Sequence, residues 1–476
     1  MVAVKVAGAA AVVKSEPMTT SQIDTIAAIA TPPGAGGIGI IRISGERALP
    51  VLREIFVSAS SAAPFSESHK LYYGHIREEG RLLDEVLAVF MAGPHSYTAE
   101  DVAEIQCHGS SLVLENVLEA VLCHEVRLAE PGEFTRRAFL NGRIDLTRAE
   151  AVVELLTART KKGVDLAEEQ LSGALYKALE PIRQSLLYAR AHVEVAIDFP
   201  EEDVEIIDHD ILLKQLEKEV QTPLGRLLGR AGQGRIYREG ISMVIAGLPN
   251  VGKSSLLNAM LNEERALVAA IPGTTRDSIE EVVDIGGVPV RIVDTAGIHE
   301  SAEEVEEMGI LRAKCLLNQA DLVLFVVDAS CGLRPEDLAL YDVVQQKPVL
   351  AVVNKSDLVP VPPDLSSLPG LRGSVVISAK QQQGLEELRD AIYAEITGGE
   401  NMWEEAGCTP NLRHKVSLER AVTACDRIME TLEAGLTFDL IAVDLQDCLG
   451  ALGDIVGETT TEDVLDVVFA EFCLGK

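Results

Sequence analysis

The chain has 476 residues, enough for about three domains of ordinary size. Hydrophobic residues make up 47% and charged residues 24%, which excludes a disordered chain. Lys and Arg number 42 against 74 Asp and Glu, giving a net charge of −32. That excludes binding of nucleic acid through a broad basic surface, though not through a local basic site.

The first 17 residues are Ala/Val-rich but interrupted by Lys5 and Lys14. Residues 1–20 read as a disordered extension, favoured over a signal peptide because no clear cleavage site follows, with Met18 as an alternative start. Residues 21–140 mix strands with short helices. Thr25–Ala30 and Gly37–Ile43 read as β-rich, joined by the turn-forming Thr31-Pro-Pro-Gly-Ala-Gly-Gly37. Leu87–Met91 and Val102–Cys107 read as further strands, and Ser111–Cys123 has helical periodicity. Cys107-His108 looks like a nucleophile pair. Neighbours on a strand point to opposite faces, so the pair reads as structural.

Residues 141–237 turn to long amphipathic helices. Ala149, Val152, Val153 and Leu156 recur at i, i+3, i+4 and i+7. Pro181 is expected to open a new helix segment, and a further helix is expected over Ile211–Leu228. Ala231-Gly-Gln-Gly234 reads as a linker. In 238–397, strands at Ile241–Ala246, Val288–Val293, Leu322–Val327, Val349–Val353 and Val375–Ile377 alternate with helices. That pattern predicts a parallel sheet with helices on both faces. Residues 398–476 return to helices at Leu412–Glu433, Leu440–Val456 and Glu462–Phe472. The fold expected is an α/β domain inserted in an all-α helical domain, preceded by an α+β N-terminal domain. No apolar run approaches the roughly 18–20 residues that cross a bilayer. Eight scattered cysteines contain no C-x-x-C pair, which fits a reducing cytoplasm.

Gly247-Leu-Pro-Asn-Val-Gly-Lys-Ser254 fits the G-x-x-x-x-G-K-[ST] pattern and lies between an expected strand and an expected helix. Backbone N–H groups of Asn250, Val251, Gly252, Lys253, Ser254 and Ser255 would cradle phosphate, and the helix N-terminus adds positive potential. Lys253 would neutralise the β- and γ-phosphates, and Ser254 would ligate Mg²⁺. Asp294, Thr295, Ala296 and Gly297 end a strand, placing Asp294 near the metal and the Gly297 N–H near the γ-phosphate. Asn354-Lys355-Ser356-Asp357 ends another. It resembles the guanine-specificity motif of GTPases, in which Asp357 accepts from guanine N1 and N2; adenine lacks that donor pair, so GTP is favoured. Ser378, Ala379 and Lys380 resemble the loop that backs the base.

The loop Ala269, Ala270, Ile271, Pro272, Gly273, Thr274, Thr275, Arg276, Asp277 resembles the first switch of the TrmE–Era–EngA group. Thr275 is then the switch threonine contacting Mg²⁺ and the γ-phosphate. Arg276 is open to two readings, an arginine finger or a salt bridge within the loop. Residue 298 is Ile, which cannot orient water as the Gln of Ras-like enzymes does.

Motifs outside the nucleotide site extend the resemblance over nearly the whole chain. They are Thr31-Pro-Pro-Gly, Arg42-Ile-Ser-Gly45, Pro131-Gly-Glu-Phe134, Arg137-Ala-Phe-Leu-Asn141, Asp145-Leu, Ala149-Glu-Ala151, Ala196-Ile-Asp-Phe-Pro200 and Phe472-Cys-Leu-Gly-Lys476. Together they resemble the MnmE (TrmE) family of tRNA modification GTPases. The resemblance implies a folate-binding and dimerisation domain at 21–140, a helical domain in two segments (141–237 and 398–476), and a G domain at 238–397. It also implies a homodimer working with the FAD protein MnmG (GidA), in a heterotetramer or larger complex. With GTP and a 5-formyl- or methylene-tetrahydrofolate, the pair adds a (carboxymethyl)aminomethyl group at C5 of the tRNA wobble uridine.

The same resemblance assigns Arg42, Glu104, Arg143 and Lys476 to the folate; many relatives carry Lys where this chain has Arg143. It makes Asn250, Ala269, Ile271 and Thr274 ligands of a stimulating K⁺ ion, and Glu306 the residue orienting water, with Lys253 and Thr275 in the catalytic set. Cys473 is open to a catalytic or a packing role. Two competing readings are an Era- or EngA-like ribosome-assembly switch and a folate-dependent transferase with an incidental GTPase. The first calls for a KH-type RNA-binding appendage and the second leaves the guanine motifs unused.

Overall fold

A computed structural model describes residues 24–60, 63–198, 209–262, 280–294, 320–399, 409–435, 437–470, 472 and 475–476. The extension at 1–20, the loop Ala269–Asp277, Thr295–Gly297, Glu306 and Cys473 lie outside these residues, as does the side chain of Asp294. Contacts divide the structure into two units, residues up to Arg143 with Phe472–Lys476, and Ile144–Glu471.

The first unit is built on a seven-stranded sheet: β1 (Ile26–Ile29), β2 (Ile38–Ser44), β3 (Phe56–Ser58), β4 (Leu71–Glu78), β5 (Arg81–Met91), β6 (Val102–His108) and β7 (Arg127–Leu128). Its order is β3-β4-β5-β6-β2-β1-β7, antiparallel except for the β1/β7 pair. Period-2 alternation sorts the side chains. Ala27, Ile41, Ile43 and Ile105 pack on one face against helices Ala48–Ile55 and Ser111–Leu122. Ile26 and Ala28 take the other face with Phe134 of helix Glu133–Leu140. On β6, Cys107 is buried and His108 exposed, with His108 Nδ1 2.7 Å from Asp84 Oδ1, as alternation requires. Burial pushes the Cys107 thiol up to about 12, which suits packing rather than attack.

The apolar-run reading missed β3 and β4 and began β5 too late. Val57, Leu71, Tyr73 and Leu87 lie on this part of the sheet yet stay exposed. The opposite face, with Phe56, Ile76, Val86 and Ala88, joins the core, and a tight hairpin at Glu79 and Gly80 with φ 49° and 82° links β4 to β5.

In the second unit, helices Ala174–Asp198, His209–Leu216, Thr222–Glu239, Leu412–Glu433 and Phe438–Val456 share one apolar core. A π-helical turn, Glu217–Gln221, joins the second of these to the third. Pro181 does not open a helix; it lies inside Ala174–Asp198. Leu175, Leu179, Ile182, Leu186, Ala189 and Val193 form an unbroken buried stripe there. That packing offsets the roughly 3 kcal/mol that an internal proline costs. Nor is Ala231–Gly234 a linker, since the helix continues to Glu239. A Cβ on Gly234 would sit 2.5 Å from Thr409 Cβ, so this glycine serves close packing.

A buried ionic cluster joins helix Leu146–Thr157 to Leu412–Glu433. Glu150 takes Arg413 through both oxygens (2.7 and 3.0 Å) and His414 at 2.7 Å. Arg413 also donates to the carbonyls of Asp454 and Ile455. Burial alone would raise the Glu150 carboxyl, but the His414 ring and the Arg413 guanidinium hold it down at about 2.

The inserted sheet comprises β8 (Ile241–Ala246), β9 (Glu280–Ile285), β10 (Val288–Asp294), β11 (Leu322–Asp328), β12 (Val349–Asn354) and β13 (Gly373–Val376), in the order β13-β12-β11-β8-β10-β9. It is parallel as expected except for the edge strand β9, which pairs antiparallel with β10 and was not foreseen. Every residue of β11 and β12 is buried. Leu324, Val326 and Val352 feed one core, and Val323, Phe325 and Val327 the other. Helices on both faces therefore explain these continuous apolar runs.

Candidate functional site

The chain leaves β8 where the sheet order turns, with β10 on one side of it and β11 on the other. Ligands bind at such a point, at the carboxyl ends of the strands. Gly247–Gly252 forms the loop and helix Lys253–Asn262 follows it. Asn250 has φ 64° and Gly252 φ 102°. A Cβ on Gly252 would stand 2.2 Å from Asn354 Nδ2, so glycine is required for the loop to meet the next motif. Lys253 is buried and its Nζ donates to the carbonyls of Gly247 (2.9 Å) and Leu248 (3.0 Å). Ser254 and Ser255 are exposed at the helix start, facing away from the core.

Three loops meet around Asn354, which is 2% exposed. Its Nδ2 donates to Val251 O at 2.9 Å, and its Oδ1 accepts from the Ala379 N–H at 3.1 Å. The two ends of one amide thus tie the phosphate loop to the Ser378–Lys380 loop. Lys355 Nζ donates to Asn250 O at 2.7 Å and meets Asp328 Oδ2 at 2.6 Å. Asp357 is exposed, and Ser378 Oγ donates to its Oδ1 at 2.6 Å. That bond orients the carboxylate while leaving Oδ2 to accept from a ligand. Burial works against the charge on Asp328, but hydrogen bonds from Lys355 and Ser330 hold its carboxyl below the usual range. Asp328 escaped the sequence reading because it lies at the end of an apolar strand and outside the motif.

A divalent ion fits what is described. Ser254 offers a hard oxygen, while the switch residue Thr275 lies outside the described residues. Among the described residues, no group of three His, Cys, Asp or Glu stands ready for a metal. Magnesium held by hydroxyls and by phosphates needs none. Of the four residues expected at a potassium ion, Asn250 alone is described.

A second cluster forms in the first unit. Strand register sets Arg42 opposite Glu104, and Arg42 Nε donates to Glu104 Oε1 at 2.8 Å. Arg42 NH1 lies 3.4 Å from Gly475 O, next to Lys476. Tyr97 has one guanidinium on it from Arg42 and another from Arg143, each 5.1 Å from the ring centre. Arg143 NH1 also donates to Tyr97 O at 2.8 Å. The structure therefore brings Arg42, Glu104 and Arg143 together and adds Tyr97, which sequence reasoning missed. Its one signal was an aromatic in a polar loop between strands.

Two family models match the chain, one described as the GTP-binding protein TrmE N-terminus over residues 25–143, the other as the MnmE helical domain over 146–473. A Desulfotalea psychrophila protein named tRNA modification GTPase MnmE is 55% identical over 95% of this chain and 98% of its own length. Proteins of the same name from Clostridioides difficile and Alkaliphilus metalliredigens are 46% and 45% identical, each over 95% of this chain and 99% of theirs. With a phosphate loop and a guanine-type loop locked together in the inserted sheet, and matches running nearly end to end, the chain belongs to the MnmE family of tRNA modification GTPases.

Proposed function

We propose that this enzyme hydrolyses GTP to drive modification of the tRNA wobble uridine at C5. The junction at Asn354, which fixes the phosphate and base loops to each other, is the observation that carries the GTP reading. In this reading the backbone from Asn250 to Ser255 holds the phosphates, and Asp357 and the Ser378–Lys380 loop hold guanine. Ser254 and Thr275 would hold Mg²⁺, which would neutralise charge at the phosphates. Asn250, Ala269, Ile271 and Thr274 would hold K⁺, which would supply further positive charge. Glu306 orients the water. Domain limits of 21–140, 141–237, 238–397 and 398–476 go with this reading.

The Arg42–Glu104–Tyr97–Arg143 cluster supports a folate site. Two guanidinium groups suit an anionic glutamate tail, while a carboxylate and an aromatic ring suit a flat heterocycle rich in donors. The folate supplies a one-carbon unit when bound. Exposed Val57, Leu71, Tyr73 and Leu87 form an apolar stripe across β3, β4 and β5 that supports self-association of the first unit. Partnership with MnmG and a cytoplasmic location complete the proposal. Among the described residues, no helix is long and apolar enough to cross a membrane.

Mass spectrometry of bulk-tRNA nucleosides tests the reading. The strain lacks its own family member and carries this gene with the cognate MnmG, either intact or as Lys253→Ala. Restoration of a 5-aminomethyl-type uridine by the intact gene alone is the expected result. No restoration by an expressed, GTP-binding protein sinks it and favours a GTPase switch.

A further inference from the structure

Lys355 has a left-handed backbone, φ 65°, which a residue with a Cβ disfavours. The turn it makes carries Asp357 toward the base, so whatever holds Lys355 also sets the base contact. Two groups hold its ammonium, Asn250 O at 2.7 Å and Asp328 Oδ2 at 2.6 Å. Asp328 is itself fixed. It is 7% exposed, and its Oδ1 accepts from Ser330 N (2.9 Å) and Ser330 Oγ (2.6 Å). Register sets it opposite Asn354, whose carbonyl accepts from the next N–H, that of Ala329, at 2.8 Å.

We propose that Asp328 is a positioning residue for guanine. It holds Lys355 in the turn that presents Asp357 and ties that turn to the phosphate-loop carbonyl of Asn250. The inference rests on the guanine-site reading above and adds a residue that touches no nucleotide.

Charge makes the test sharp, because the two readings of Asp328 have opposite signs. A carboxylate near a polyanion opposes binding by Coulomb repulsion. If that were its only effect, Asp328→Asn would tighten GTP binding. Positioning demands that the same change weaken it.

The full chain is titrated with fluorescent GDP and GTP analogues, and hydrolysis of GTP, ITP and ATP is followed. Asp328→Asn is expected to raise Kd and KM about 10-fold, with kcat held within about 2-fold. The preference for GTP over ITP, which lacks the exocyclic amine, is expected to fall by a similar factor. In a Lys355→Met background the same substitution should change Kd less than about 2-fold, because Asp328 acts through that lysine. Should Asp328→Asn not fold, Ser330→Ala loosens the carboxylate and carries the test with about a 3-fold rise. Unchanged or tighter nucleotide binding, or an effect that persists in Lys355→Met, overturns the proposal alone. A wild-type protein with no preference for GTP over ATP overturns the guanine reading and this inference with it.

Discussion

The two polar clusters described above are assembled in opposite ways. On the guanine side of the nucleotide site, the contacts run among loops at the ends of β8, β11 and β12 and the loop following β13, all in one sheet. Each motif there is a short run of sequence, and Asn354 and Lys355 each reach from their own loop to two others. In the first unit, Arg42, Tyr97, Glu104, Arg143 and Gly475 come from five separated places and meet through strand register and chain return. In the first arrangement the polar side chains bond from one loop to the next. The second sets two guanidinium groups on one ring, with Arg42 also paired to Glu104 and facing the carbonyl of Gly475.

The largest test of this contrast is Asp357→Asn. Replacing an acceptor by a donor leaves guanine N1 and N2 facing the wrong group, so kcat/KM for GTP should fall about 10³-fold. XTP, which carries a carbonyl at C2, should recover part of the loss. Folate affinity, measured by calorimetry, should stay within about 2-fold; a larger drop would mean that the clusters are not independent.

Glu150 supplies the reference for ions kept for structure. Its folded value of about 2 lies below the ordinary 4.5. Its stabilisation is therefore complete above pH 4.5 and is lost as pH falls from there through about 2. That difference corresponds to roughly 3 kcal/mol, and Glu150→Gln should cost about as much at pH 7. Denaturant midpoints at pH 7 and pH 3 check both statements. A variant that lost stability equally at the two pH values would contradict them.

Arg42→Ala asks which kind of ion Arg42 is. A ligand-binding Arg42 predicts a folate Kd raised about 30-fold, a GTP KM unchanged and a small loss of stability. If instead stability falls as it does for Glu150→Gln while folate Kd holds, the Arg42–Glu104 pair is structural. The smallest effect is expected from Tyr97→Leu, which keeps apolar bulk but removes the ring beneath two guanidinium groups. Folate Kd should rise about 5-fold. An unchanged Kd would remove Tyr97 from the site.

The same contrast explains what was legible in the sequence. The phosphate and guanine loops could be read because Gly, Lys, Asn and Asp stand at fixed offsets after apolar strands. The parallel strands could be read because burial on both faces makes them continuously apolar. Strand β4 could not, since it buries only Gly74 and Ile76 and leaves Leu71 and Tyr73 exposed. Gly234 misled because a glycine that admits Thr409 looks in sequence like one that ends a helix. Pro181 misled because a proline reads as a helix start, while the buried stripe that keeps this helix unbroken runs straight past it through Leu179 and Ile182. Tyr97 and Asp328 carry no motif. Each matters through a partner that only the folded topology supplies.

Gly475 stands 433 positions after Arg42, whose guanidinium its carbonyl faces. At roughly 5–20 residues per second of synthesis, roughly 20–90 s separate their emergence from the ribosome. For most of that interval the sheet bearing Arg42 and Glu104 has its strands and helices at hand, but one wall of the cluster has not been made. The inserted nucleotide sheet emerges earlier in full. Birth order therefore favours a nascent chain able to grip nucleotide before its other cluster is enclosed.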